Sequence, residues 1–256
     1  AVFHDSQAAL VAGVAADPFG IALVSGATSD GTRQLPLRGS CGFRLVADRR
    51  TVKTEDYPLT VPLLLYRPMR RLPKLGREFM AYLRGAAAQP VIRRAGFTDL
   101  GTEEIGVDAQ GIRMVNAIAH ADGTAGLETL QDIVATLSPL KRLTTTFRFE
   151  SGATRMDAQS RTNVRQLARA LEDGAYDGRK LLLVGFSDGQ GSASANRAIA
   201  RRRATNVRDA ILRAAPTADR ARFTIDVASF GEAMPLACDD SAWGRRINRR
   251  VETWVR

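Results

Sequence analysis

The densest run of chemically capable residues lies between positions 185 and 203. Gly185-Phe186-Ser187-Asp188-Gly189 fits the G-x-S-x-G spacing of a nucleophile elbow, and it sits between a strand-like and a helix-like segment. A serine there needs a histidine base, which follows the nucleophile in that hydrolase order. The two histidines, His4 and His120, both precede it, so the hydrolase reading fails. Gly189-Gln190-Gly191 begins a G-x-G-x-x-G pattern, but Ser194 stands at the third glycine position, which argues against dinucleotide binding. What remains is a strand-to-helix loop whose backbone N–H groups suit an anionic group.

The helix after this loop carries a sharper signal. Counting about 100° per residue from Asn196, Ile199, Val207, Ala210 and Ile211 form one apolar stripe. Arg197, Arg201, Arg202, Arg208 and Arg213 fall outside the stripe, whereas Arg203 falls inside it, beside Asn196. A buried guanidinium needs a counter-charge, and Asp188 at the end of the preceding strand is the nearest candidate. Two readings follow. The pair is an internal ion pair, or it offers one charge of each sign to a zwitterion, Asp188 taking an ammonium and Arg203 gripping a carboxylate bidentately.

These residues need a scaffold, and the C-terminal part supplies one. LTTTFRF (143–149), KLLLVGF (180–186), FTIDVASF (223–230) and RVETWV (250–255) read as strands. A helix capped by Asp157 runs to about 172, and a second one extends to about 214, before Pro216. The order implies a mixed sheet with helices on one face. The N-terminal part is less regular. Helices are expected near 6–15, at 77–86, after Pro90 and at 127–137, with strands at 21–25, in QLPL and at 61–66. Residues 101–126 are polar and contain glycines, and read as a linker.

Composition narrows the class. The 256 residues are 45% hydrophobic and 25% charged, as in globular domains. No apolar run reaches the roughly 20 residues of a transmembrane helix. The net charge is +10, of which +9 falls in 141–256, with 22 basic against 13 acidic residues. Such a balance suits a polyanion, yet the runs Arg201-Arg202-Arg203, Arg245-Arg246 and Arg249-Arg250 have little aromatic interleaving and read as solvated faces. No nucleic-acid partner is expected. Cys41 and Cys238 have no zinc spacing, and their pairing stays open. No motif asks for a cofactor or a metal.

Residues 141–256 resemble the OmpA-like peptidoglycan-binding domain. The resemblance rests on Phe147-Arg148-Phe149 with Ser151-Gly152, Gly185-Phe186-Ser187-Asp188, and Asn196, Ile199, Ala200, Arg203, Ala204 and Val207 at family spacing. It continues through Phe230-Gly231-Glu232 with Pro235 and Asn248-Arg249-Arg250-Val251-Glu252. It implies that Asp188 and Arg203 hold the diaminopimelate residue of a peptidoglycan stem peptide, with Arg249 at the rim. Asn196, Ser187, Phe186 and backbone N–H groups of 186–191 would add contacts. Ala195 stands where many members have Tyr, and Ala200 replaces the commoner Ser.

The N-terminal part resembles the second half of a PstS-like phosphate-binding protein of the type II periplasmic class, through 14–25, 57–66 and 79–97. That family's Ser-Gly-Thr phosphate loop is not seen, so the chain is expected to begin inside such a protein. The expected organisation is a partial binding-protein α/β lobe (1–115), a linker with a connecting helix (116–140) and an OmpA-like α/β domain (141–256). The expected function is non-enzymatic. The C-terminal domain binds peptidoglycan in the periplasm of a Gram-negative bacterium, beside the cell wall or outer membrane, and anchors a phosphate-binding-protein-like module there. The alternative is a periplasmic receptor for phosphate or another oxyanion whose OmpA-like domain is structural or oligomerising.

Overall fold

A computed structural model describes residues 2–26, 29, 31–121, 123–150 and 154–256. Ser151-Gly152, which carry part of the resemblance, lie outside the described residues. In chain order the elements are α1 (Gln7–Ala16), β1 (Leu37–Arg38), β2 (Arg44–Leu45), α2 (Arg49–Lys53), α3 (Lys74–Arg84), α4 (Gln89–Arg94), β3 (Glu104–Ile105) and α5 (Gly111–Ala119). They continue with α6 (Gly123–Leu137), β4 (Lys141–Arg148), α7 (Ala158–Glu172), β5 (Lys180–Phe186), α8 (Ala193–Ala214), β6 (Thr224–Gly231), α9 (Ala242–Asn248) and β7 (Arg250–Val255). Two compact units form, and neither is continuous in sequence. One comprises 1–37, 46–53 and 63–101, the other 38–45, 54–62 and 102–256.

The second unit is built on a mixed sheet, ordered β3-β4-β7-β5-β6 among the described residues. β7 runs antiparallel to both β4 and β5, and β6 is parallel to β5. A parallel neighbour needs a crossover, and α8 provides it. Strand alternation then sorts the side chains. Leu143, Phe147, Leu181, Leu183, Val251 and Val255 pack against Val164, Leu167 and Leu171 of α7 and Ala204, Val207 and Ile211 of α8. Val184, Phe186, Phe230 and Trp254 face the other way and meet Ala117 of α5 and Leu130, Ile133 and Leu137 of α6.

The expected mixed α/β sheet with helices therefore forms, but helices cover both faces rather than one. The reason lies in Trp254, Phe186 and Val184. Their apolar surface is substantial, and leaving it in water would forgo roughly 2 kcal/mol per side chain. Residues 102–137, expected as linker and connecting helix, fold into this unit as β3, α5 and α6 to cover it.

The same face carries charge. Arg142 and Arg148 of β4 alternate with Leu143 and Phe147, and Arg250 and Glu252 of β7 alternate with Val251, all of them buried. Arg142 clamps Asp56 through Nη1 at 2.6 Å and Nη2 at 3.1 Å. Glu252 accepts from Arg250 Nε at 2.6 Å, from Trp254 Nε1 at 3.1 Å and from Arg113. Arg148 reaches Asp56 at 3.3 Å and donates to the carbonyls of Glu55 and Ile247. Burial would raise the Glu252 and Asp56 carboxyls. The surrounding guanidiniums overcome that and hold both below the usual range.

The first unit contains α1 to α4. Buried Asp99 gathers Lys53 Nζ at 3.0 Å, the Gly101 N–H at 2.9 Å and Arg93 at 3.3 Å. Residues 21–25 and 61–66 are not strands. Ile21, Leu23, Val61, Leu63 and Tyr66 are exposed. A strand needs a sheet neighbour, and among the described residues neither segment belongs to a sheet. The sheet of a binding-protein lobe is thus not formed by these segments. QLPL contributes only Leu37, to β1.

Candidate functional site

Three elements of the second unit converge at the C-terminal end of β5. Gly185 brings β5 against α8 so closely that a Cβ there would run into the carbonyl of Ala200. The loop after β5 turns through Gly191 at φ 98°, and Ser192 caps α8 by accepting from the Ala195 N–H. α9, capped by Ser241, forms the opposite wall. Between them lies a cavity of about 390 Å³, lined by Asp188, Asn196, Arg203 and Arg249 together with Gln190, Ile199, Ala242 and Arg245.

Arg203 is 2% exposed, on the buried stripe of α8 with Asn196, Ala200, Ala204, Val207 and Ile211, as the helical spacing predicts. Ile199 departs from that expectation. It is half turned to solvent and forms an apolar wall of the cavity. The Arg203 guanidinium lies 5.3 Å from the centre of the Phe149 ring. Burial lowers its pKa and the charge of Arg249 adds to that, while Asp188 works in the opposite direction.

Asp188 is nearly buried, and its Oδ2 accepts from Arg249 Nη1 at 2.5 Å. The close ion pair of this carboxylate is therefore with the rim arginine. Arg249 ends α9, and β7 begins one residue later, so it turns toward the cavity while Arg250 and Glu252 enter the charged interior. Asn248 completes the division of labour. It accepts from the Leu236 and Ala237 N–H groups at 2.7 and 3.1 Å, fixing the loop before α9.

Other expected contacts are engaged elsewhere. Phe186 does not line the cavity. It is fully buried against Phe230, with the Arg250 guanidinium 4.2 Å from its ring centre. Ser187 is buried, and its N–H donates to Gly231 O at 2.8 Å. The Gly189 N–H donates to Asp239 Oδ2 at 2.5 Å, and the Asn196 side-chain amide donates to Glu232. For the buried Ser187 and Asn196 the reason is general: a buried amide that finds no protein partner costs free energy before any ligand arrives.

Sequence reasoning missed Gln190, Ile199, Ala242, Arg245, Glu232 and Asp239. Arg245 and Ala242 sit on α9, whose only local signal is Ser241 three residues before Gly244. Chemically, the cavity sets one carboxylate against the guanidiniums of Arg203, Arg245 and Arg249, beside a small apolar wall. It suits a ligand with a cationic group close to one or more carboxylates. Among the described residues no cluster of His, Cys, Asp or Glu could hold a metal ion, and no helix is long and apolar enough to cross a membrane.

Residues 148–249 match the OmpA family. None of the curated proteins matches the sequence significantly. The peptidoglycan-associated lipoprotein from Burkholderia pseudomallei is similar at 22% identity over 44% of this chain and 90% of its own, with a TM-score of 0.39. The periplasmic domain of Helicobacter pylori MotB is similar at 16% identity over 45% of this chain and 73% of its own, with a TM-score of 0.37. The cell wall anchor of the T6SS from Pseudomonas aeruginosa is similar at 27% identity over 45% of this chain and 80% of its own, with a TM-score of 0.34.

Proposed function

We propose that the OmpA-like domain is a non-catalytic binding domain that holds peptidoglycan through the diaminopimelate residue of the stem peptide. The observation that carries this reading is the convergence of Asp188, Arg203 and Arg249 on one cavity of about 390 Å³. The ligand ammonium meets Asp188 at Oδ1, since Oδ2 is taken by Arg249. Its carboxylate docks on Arg203, whose partly desolvated guanidinium makes a charge-assisted bond stronger than one in water. Ile199 and Ala242 flank the aliphatic chain between the two ends.

The Cys41–Cys238 disulfide supports an extracytoplasmic location, because disulfides persist in oxidising compartments such as the periplasm. The family match, confined to 148–249, supports the cell-wall reading for the second unit alone. A phosphate-binding role for the first unit gains no support from 21–25 and 61–66, which are not strands, and it is not carried forward.

Sedimentation with insoluble diaminopimelate-type peptidoglycan tests the proposal. The parent chain is expected to pellet. Asp188→Ala and Arg203→Ala are each expected to weaken pelleting at least tenfold while remaining folded by circular dichroism. Pelleting of both variants at the parental level would overturn the assignment.

A further inference from the structure

Asp239 bonds to one residue of the cavity wall, Arg245, and to the chain neighbours of two others, Asp188 and Arg249. Its Oδ2 accepts the Gly189 N–H at 2.5 Å, one residue from Asp188, and its Oδ1 accepts Asn248 Nδ2 at 2.8 Å, one residue from Arg249. Its main-chain oxygen accepts Arg245 Nη1 at 2.6 Å. One acidic residue thus sets the spacing among three of the charged groups that line the cavity, without lining it itself.

The residues on either side of Asp239 are tied to the hairpin of β1 and β2. Cys238 is disulfide-bonded to Cys41, with Cα atoms 5.6 Å apart, and its Sγ also accepts the Cys41 N–H at 3.1 Å. The Asp240 carboxylate accepts from the Ser40 hydroxyl. The hairpin end is itself well fixed. Gly42 turns it at φ 86°, which a β-carbon would oppose, and buried Phe43 meets the His120 ring edge-on at 4.5 Å. At Gly39 any side chain would run into Cys238 Sγ.

We propose that Asp239 is a positioning residue for the cavity, held in register by the Cys41–Cys238 disulfide, so that ligand affinity follows the redox state of that bond. The affinity part rests on the peptidoglycan reading above. Oxidised, the bond joins points 197 residues apart and removes freedom from residues 238–240. A dithiol such as dithiothreitol supplies two electrons and two protons. The S–S bond breaks, Cys41 and Cys238 become thiols, and the dithiol closes to its own cyclic disulfide. Asp239 then loses its anchor, and the loop bearing Asp188 drifts from α9.

Two readouts on the full chain separate this proposal from the ligand reading. The first is hydrogen exchange of the Gly189 amide, which needs no ligand. It is expected to quicken at least tenfold in the dithiothreitol-reduced chain, in the Cys41→Ser/Cys238→Ser variant and in Asp239→Ala. Asp239→Asn, which keeps an acceptor oxygen, should restore most of the protection. The second is pelleting with diaminopimelate-type peptidoglycan, expected to weaken at least fivefold in the same three samples and to recover in Asp239→Asn. If Gly189 exchange is unchanged while thiol titration finds both cysteines free, the positioning role is overturned. If exchange quickens yet pelleting is undiminished, the link to affinity is overturned. If exchange quickens and even the oxidised parent fails to pellet, positioning stands and the peptidoglycan reading falls.

Discussion

Arg203 is a buried ionisable group and Glu55 a half-buried one, and they answer to different neighbours. Arg203 was legible in the sequence because a helix repeats every 3.6 residues, so a cation on the apolar stripe is visible without coordinates. Asp188 was legible as its counter-charge, but its closer pairing with Arg249 was not, since it depends on how α9 ends. Arg245 was read as part of a solvated run, because one-dimensional spacing cannot tell a cavity wall from a surface. Glu55 left no sequence signal. Burial pushes its carboxyl up to about 7; Arg148 partly offsets this, and Asp157 and Asp56 reinforce it. Between pH 4.5 and about 7 the folded chain keeps a proton that the unfolded chain has released, so this site's contribution to stability is lost as pH rises through about 7. Glu252 and Asp56, held low, act in the other direction and lose their contribution only in acid. Urea titrations of Glu55→Gln are expected to be flatter than the parent between pH 5 and 8, by roughly 2 kcal/mol, with the acid limb unchanged.

At the level of elements, β4 to β7 with α7 and α8 appear within about two residues of where periodicity and capping residues put them. The Asp157 side chain caps α7 by accepting the Ser160 N–H at 2.8 Å, as its position predicts. The elements that escaped notice are short or compositionally neutral. β3 is a two-residue edge, α5 begins at a glycine, and α9 is seven residues long. Each is specified by what it covers or pairs with rather than by its own propensity. The tightest junction is between β5 and α8, at Gly185. Gly185→Val is expected to force the Ala200 carbonyl outward and to destabilise the domain by roughly 1–3 kcal/mol in urea denaturation. Because α8 carries Asn196 and Arg203, pelleting should weaken in the same variant.

Across the molecule, sequence order misled where the chain folds discontinuously. Residues 38–45 and 54–62 belong with 102–256, and nothing in their composition says so, because long-range pairing leaves no periodic trace. The runs at 21–25 and 61–66 are apolar enough to read as strands, yet among the described residues they belong to no sheet. The Asp56–Arg142 clamp has a practical corollary for anyone wishing to excise the OmpA-like module. The family match spans 148–249, which invites trimming the chain near residue 141. Such a fragment would keep Arg142 and Arg148 but lose Asp56 and Glu55, and would keep Glu252 but lose Arg113. Taking a partner from a buried ion pair costs about 3–5 kcal/mol, offset in part here because Glu252 still meets Arg142 and Arg250 within the fragment. The 141–256 piece is therefore expected to melt well below the intact chain by calorimetry, and exchanging Arg142 and Arg148 for Met should win part of that back. The module is portable only with its borrowed counter-ions.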